Sequence, residues 1–250
     1  MGGFGARVYG LGAAMMGGAT LVWGDFAEGW IPPPPALPGR AALAYAVGAL
    51  MLAGGVLVNV RRNWGAALLT AGFGAGLVLL DLTRLTVHPL GFDYWESSAE
   101  QVALTVAGLI VLAPAGGPLA SARLAAGARF VFGLCVLIFG TAHFVFAKFS
   151  ATFVPSWIPP GAMFWVYFTG AAAIAAGLAI LSGVLDLLAA RLLTLMYVLF
   201  GILVHTPVVM SAHPTHGNWI EFMVNLALAG AAWIVADSLA ARKAATASPP

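Results

Sequence analysis

Two histidines, a carboxylate and an amide interrupt apolar stretches in the second half of this 250-residue chain: His143, His205, Glu221 and Asn225. Ionisable groups at membrane depth are costly and by default mark function. His143 and His205 each lie about six residues before the outer end of an apolar segment, and Asn225 lies about six residues into another. At about 1.5 Å per residue, all three share one depth, roughly 9 Å below the outer surface. Glu221 precedes Asn225 by one turn and shares its helical face.

Several chemistries suit this set. Two histidines from different helices can ligate a haem iron axially. With Glu221 or His213 they can bind copper or zinc. A histidine and a carboxylate can hydrogen-bond a quinone and move its protons. The loop His213-Pro214-Thr215-His216 makes His205, His213 and His216 the candidate metal ligands, or makes the loop a lid over the polar site. Trp157 and Trp219 could wall a quinone ring. Together with Trp23, Trp30 and Trp95 they are equally what an interfacial aromatic belt predicts.

The elements that must position these groups follow from composition. Hydrophobic residues make up 61% of the chain and charged residues 8%, with mean hydropathy +0.96. A soluble domain carries about 25% charged residues. The composition therefore predicts an integral membrane protein. No segment alternates with period two, which excludes a β-barrel and leaves an all-α fold. Net charge is +2 and the basic residues sit in short loops, so membrane lipid is a partner and nucleic acid is not. The single cysteine, Cys135, excludes a disulfide framework and an intrachain dithiol.

Eight apolar segments are long enough to span a bilayer: 6–26, 41–60, 64–85, 97–114, 128–149, 161–182, 192–211 and 219–240. The first holds Asp25 and reads as a structural helix, not a cleaved signal. Gly and Ala are frequent inside the segments, which suits close helix packing. Trp30-Ile31-Pro32-Pro33 returns as Trp157-Ile158-Pro159-Pro160, each copy at the edge of an apolar segment. The chain therefore reads as one unit written twice. Repeat 1 covers 1–115, a cytoplasmic linker 116–128, repeat 2 129–241 and a disordered tail 242–250. Four helices per unit make the repeats parallel. Arg7, Arg61, Arg62, Arg123, Arg129, Arg191, Arg242 and Lys243 fall on one side, and only Arg40, Arg84 and Lys148 on the other. Both termini are then cytoplasmic.

The repeat offers a test of each polar group. Thr20 stands opposite His143, Asp81 opposite His205, and Gln101 opposite Asn225. Asp81 and Arg84, at i and i+3, either neutralise each other or belong to a cofactor-binding track. The two histidines have no counterpart histidine, which makes them the leading catalytic candidates.

The run Phe139-Gly140-Thr141-Ala142-His143-Phe144, followed by Val154-Pro155-Ser156-Trp157-Ile158-Pro159-Pro160 and then Asn218-Trp219, resembles the DoxX-like (DoxX/DoxD) family of four-helix bacterial membrane proteins. The resemblance covers about 110 residues, from roughly 130 to 240. The first half resembles a diverged second copy, in which Leu21-Val22-Trp23-Gly24-Asp25-Phe26 replaces the Ala-His-Phe element. The resemblance implies a four-helix bundle per unit and an association with membrane redox chemistry. The leading expectation is a quinone-linked subunit in the bacterial inner membrane, served by a membrane or periplasmic redox partner. His143 and His205 would act on the quinone, and Glu221, Asn225, Trp157, Trp219, Asp81 and Arg84 would contribute to binding. A small-molecule or metal-ion transporter and a structural subunit of a larger complex are the rival expectations.

Overall fold

A computed structural model of the chain describes residues 3–26, 37–60, 62–115, 118–211 and 213–247. The first Trp-Ile-Pro-Pro copy, including Trp30, lies outside the described residues, as does Arg61. Among the described residues there is no strand, and eight long helices follow one another. These are α1 (Phe4–Trp23), α2 (Arg40–Val60), α3 (Arg62–Val87), α4 (Phe92–Leu112), α5 (Pro118–Val145), α6 (Ala162–Ser182), α7 (Asp186–Val209) and α8 (His216–Ala247). A one-turn helix, Ala147–Ala151, follows α5. Six of the eight, all but α1 and α4, are long and apolar enough to cross a membrane. This is the architecture of a multi-pass membrane protein.

The helices pack in a ring. Each touches its neighbours in sequence, α8 closes back onto α1, and α4 meets α8 across the middle. The core lies on the inner helices, where Tyr9, Met16, Leu104, Phe132, Val136 and Val235 are fully buried. Burial separates the layers: 72% of the central stretch of α8 is buried, against 22% for α7. A helix that faces protein instead of lipid can carry glycine and polar side chains. Half of α1 is buried, much of it glycine and alanine, and α4 carries Glu96, Glu100 and Gln101. That placement explains why these two fall short of a hydropathy criterion that the peripheral helices meet.

Glycines set how close the helices come. A Cβ built on Gly17 would lie 2.5 Å from the Gly48 carbonyl oxygen, and one on Gly140 would lie 2.8 Å from the Gly170 carbonyl oxygen. The crossing of α1 on α2 thus matches that of α5 on α6. Beside the first crossing Gly48 faces Thr20; beside the second Gly170 faces His143. Two π-helical turns correspond as well. Leu77–Asp81 interrupts α3 and Gly201–His205 interrupts α7, so Asp81 and His205 each end one. Pro207 lies just after the second. Its ring would clash with the carbonyl four residues back in a regular helix, and a locally widened turn relieves that clash.

Two expectations about boundaries need correction. Residues 118–128, expected to be linker, form the first part of α5, and residues 242–247, expected to be disordered, continue α8. Both stretches are rich in alanine, a strong helix former that a hydropathy window undervalues when arginine and serine are interspersed.

The end of α7 away from His205 carries an ion cluster. Asp186 is fully buried, accepts the Leu187 N–H at 2.7 Å, and pairs with Lys243 at 2.9 Å and with Arg242. Arg129 donates to Ser238 Oγ at 2.7 Å nearby. These contacts tie α5, α7 and α8 together. In the core, the Tyr9 hydroxyl donates to the Leu104 carbonyl at 2.9 Å and joins α1 to α4. Tyr9→Phe is expected to destabilise the fold by about 1 kcal/mol, the net worth of one such bond. Thermal unfolding in detergent should register this as a lowered Tm.

Candidate functional site

His143, His205, Glu221 and Asn225 line one cavity of about 730 Å³. Four elements position them. His143 stands near the end of α5, His205 at the end of the π turn of α7, and Glu221 and Asn225 on successive turns of α8. From the first half, α4 adds Glu96 and Glu100. The start of α8 is fixed by a reciprocal cap: Thr215 N–H donates to Asn218 Oδ1 at 2.9 Å, and Asn218 N–H donates to Thr215 Oγ1 at 3.2 Å.

Below its polar end the cavity becomes an apolar groove between α6 and α7. Its lining runs along α7 from Leu185 to His205, a rise of about 30 Å, close to the hydrocarbon thickness of a bilayer. Phe168 on α6 and Leu188, Leu192 and Leu195 on α7 line it while also being exposed, Phe168 at 54% and Leu192 at 55%. The groove therefore opens sideways along the lipid-facing helices. Trp165 forms part of the wall, and its indole N–H donates to the Pro159 carbonyl at 3.0 Å, pinning the 155–160 loop over the polar end.

Hydrogen bonds fix which valence several groups present. His143 Nδ1 lies 2.9 Å from the Phe139 carbonyl. A carbonyl only accepts, so Nδ1 carries the proton, and in the neutral form of the ring Nε2 is the acceptor. The imidazole also stacks on Phe200 at 6.1 Å, with an interplanar angle of 26°. Asn225 Nδ2 donates to the Tyr197 carbonyl at 3.0 Å, which leaves Oδ1 as an acceptor. A Cβ on Gly201 would lie 3.1 Å from that Nδ2, so the glycine that opens the π turn makes room for the amide. In the first half, Gly76 precedes the π turn and a Cβ on it would be in ordinary contact with Gln101 Oε1, at 3.8 Å.

A second cavity of about 210 Å³ lies beside the polar end, lined by Phe149, Phe153, His205, Thr215, Asn218 and Glu221, among others. His205, Glu221 and Phe153 belong to both cavities. Compared with protein families, curated proteins and solved structures, the chain matches none.

The remaining candidates fall elsewhere. Trp157 is 71% exposed and Trp219 packs on the core, and neither lines either of these two cavities. Asp81 and Arg84 are buried and pair within α3 at 3.1 Å, outside both cavities. His213 is exposed, and the His216 ring meets Trp23 at 4.4 Å with the planes tilted by 54°, tying α8 to α1. Among the described residues no group of three or more His, Cys, Asp or Glu side chains is placed to hold a metal ion. His143 and His205 remain the pair that faces a common space.

Sequence reasoning did not reach Glu96, Trp165 or the aromatic wall of Phe139, Phe153 and Phe200. Glu96 lay one residue before the expected fourth segment, whereas α4 begins at Phe92. The usable signal was the spacing of Glu96 and Glu100 at i and i+4, which places both on one helical face.

Proposed function

We propose that this chain serves a membrane redox system by holding the head of a membrane quinone, in its quinol form, at the polar end of the groove. The observation that carries this reading is the groove itself: it is open along the lipid-facing helices, about one bilayer leaflet pair in length, and ends at His143, His205, Glu221 and Asn225. An isoprenoid tail suits the apolar walls. His143 Nε2 and Asn225 Oδ1 are acceptors, so they suit the hydroxyls of a quinol, and Phe200 and Trp165 can flank its ring. A proton leaving the quinol has acceptors at hand in His143, His205 and the three glutamates of the lining, Glu96, Glu100 and Glu221. Electrons pass to a membrane or periplasmic partner protein.

The same reading makes the chain an eight-span protein of a bacterial inner membrane, built from two parallel four-helix halves with cytoplasmic termini. The matched glycine crossings and the paired π turns support the duplication. The DoxX-like assignment rests on residues 139–160 and 218–219 and is part of this proposal. The test is solvent extraction of the protein purified in mild detergent, followed by quinone analysis and titration with a short-chain quinol. The expected result is bound quinone and saturable quinol binding. Purified protein that carries no quinone and binds no quinol would overturn the reading.

A further inference from the structure

The polar end is rich in acceptors. His143 Nε2 and Asn225 Oδ1 are committed to accepting by the bonds their other atoms make. Glu96 and Glu221 add two carboxyl groups, close enough to influence each other electrostatically. Among the described residues no hydrogen bond or ion pair reaches either glutamate, and no Lys or Arg lines either cavity. Asp186, by contrast, is a fully buried carboxylate and takes both Arg242 and Lys243. A carboxyl group in an apolar cavity without a counter-charge holds its proton, and gives it up when a cation from outside the chain supplies the missing charge. Aromatic rings surround the space: Phe139, Phe153, Trp165, Phe168, Tyr197 and Phe200. Their faces attract cations.

From this complementarity we infer that the groove binds amphiphilic organic cations, a positively charged head on an apolar body, with Glu96 and Glu221 as the charge-selecting residues. The same two glutamates keep anionic lipid heads out of a groove that lies open to lipid. The inference goes beyond the quinol reading while using its groove. A quinol needs the fixed acceptors on His143 and Asn225; a cation needs the negative charge of the glutamates.

Tetraphenylphosphonium and tetraphenylborate have nearly the same size and shape and opposite charge, so they isolate the charge effect. Binding of each is measured by equilibrium dialysis against the full chain in a neutral maltoside detergent, with empty micelles as the blank. The expected result is saturable binding of the phosphonium, with the borate weaker by at least about tenfold, the size of effect a single charge-assisted contact gives. In the E96Q/E221Q double variant the preference for the phosphonium should shrink, with Glu100 the one glutamate left in the lining. Equal binding of both ions by the unmodified protein, no saturable phosphonium binding above the blank, or an undiminished preference in the variant would each overturn the inference. Quinol binding without phosphonium binding sinks the cation inference alone. Phosphonium binding without quinol binding sinks the quinone reading alone.

Discussion

Replacing both histidines, His143→Ala with His205→Ala, is expected to weaken short-chain quinol binding by about 10- to 100-fold. Each ring lines the cavity, and His143 is held in place by its bond to Phe139 and its stack on Phe200. A net hydrogen bond contributes about 0.5–1.5 kcal/mol, so two together correspond to one to two decades of affinity. The ring contact with Phe200 adds to the loss. His143→Gln is the discriminating companion: its amide can still accept a hydrogen bond, so it should lose less than His143→Ala. Titration of each purified variant with the quinol reads the effect. An unchanged affinity in the double variant would mean that the head group sits elsewhere.

The largest effect on folding is expected at Gly230. A Cβ there would lie 2.2 Å from the backbone nitrogen of Tyr9 and 2.6 Å from its Cα. Backbone cannot move aside as a flexible side chain can, so Gly230→Leu must push α1 off α8. That contact closes the ring of helices and covers Tyr9, one of the largest fully buried side chains. Overpacking a tight core costs about 1–3 kcal/mol even when neighbours can adjust, and here the cost should exceed that range. Gly18→Leu is the control, because a Cβ at Gly18 meets nothing within 4 Å. Size-exclusion profiles and thermal unfolding should show Gly18→Leu near the unmodified protein and Gly230→Leu aggregated or strongly destabilised.

The convergence of His143, His205, Glu221 and Asn225 was legible because depth along a spanning helix follows from counting residues. Groups at one depth on neighbouring helices share a layer. The α4 contribution was not legible in the same way. Hydropathy marked the start of that segment where the apolar residues begin, and Glu96 stood just outside it. The duplication also drew attention to the second half, although the cavity takes Glu96 and Glu100 from the first.

The groove had no sequence signature at all. Spacing along α6 and α7 shows which residues share a face, and says nothing of the gap between two faces. Trp157 shows the same limit from the other side. Its position at the outer edge fitted both a ring wall and an interfacial anchor, and its exposure fits the anchor. The His213–His216 loop offered metal-like spacing; in the structure His216 lies against the Trp23 ring and His213 is exposed. Helices α5 and α8 outran their apolar segments because alanine favours helix where hydropathy falls.

The most direct test of the central claim, a quinol head at the polar end with its tail in the groove, is photoaffinity mapping with two quinone analogues. One carries its azide on the ring, the other far along the tail. The account predicts that the ring azide labels peptides around His143, His205 and Glu221. It predicts that the tail azide labels the Leu188–Leu195 stretch of α7, and that unlabelled quinone suppresses both. Labelling spread evenly over the lipid-facing sides of α2 and α3, or labelling that excess quinone does not suppress, would contradict it.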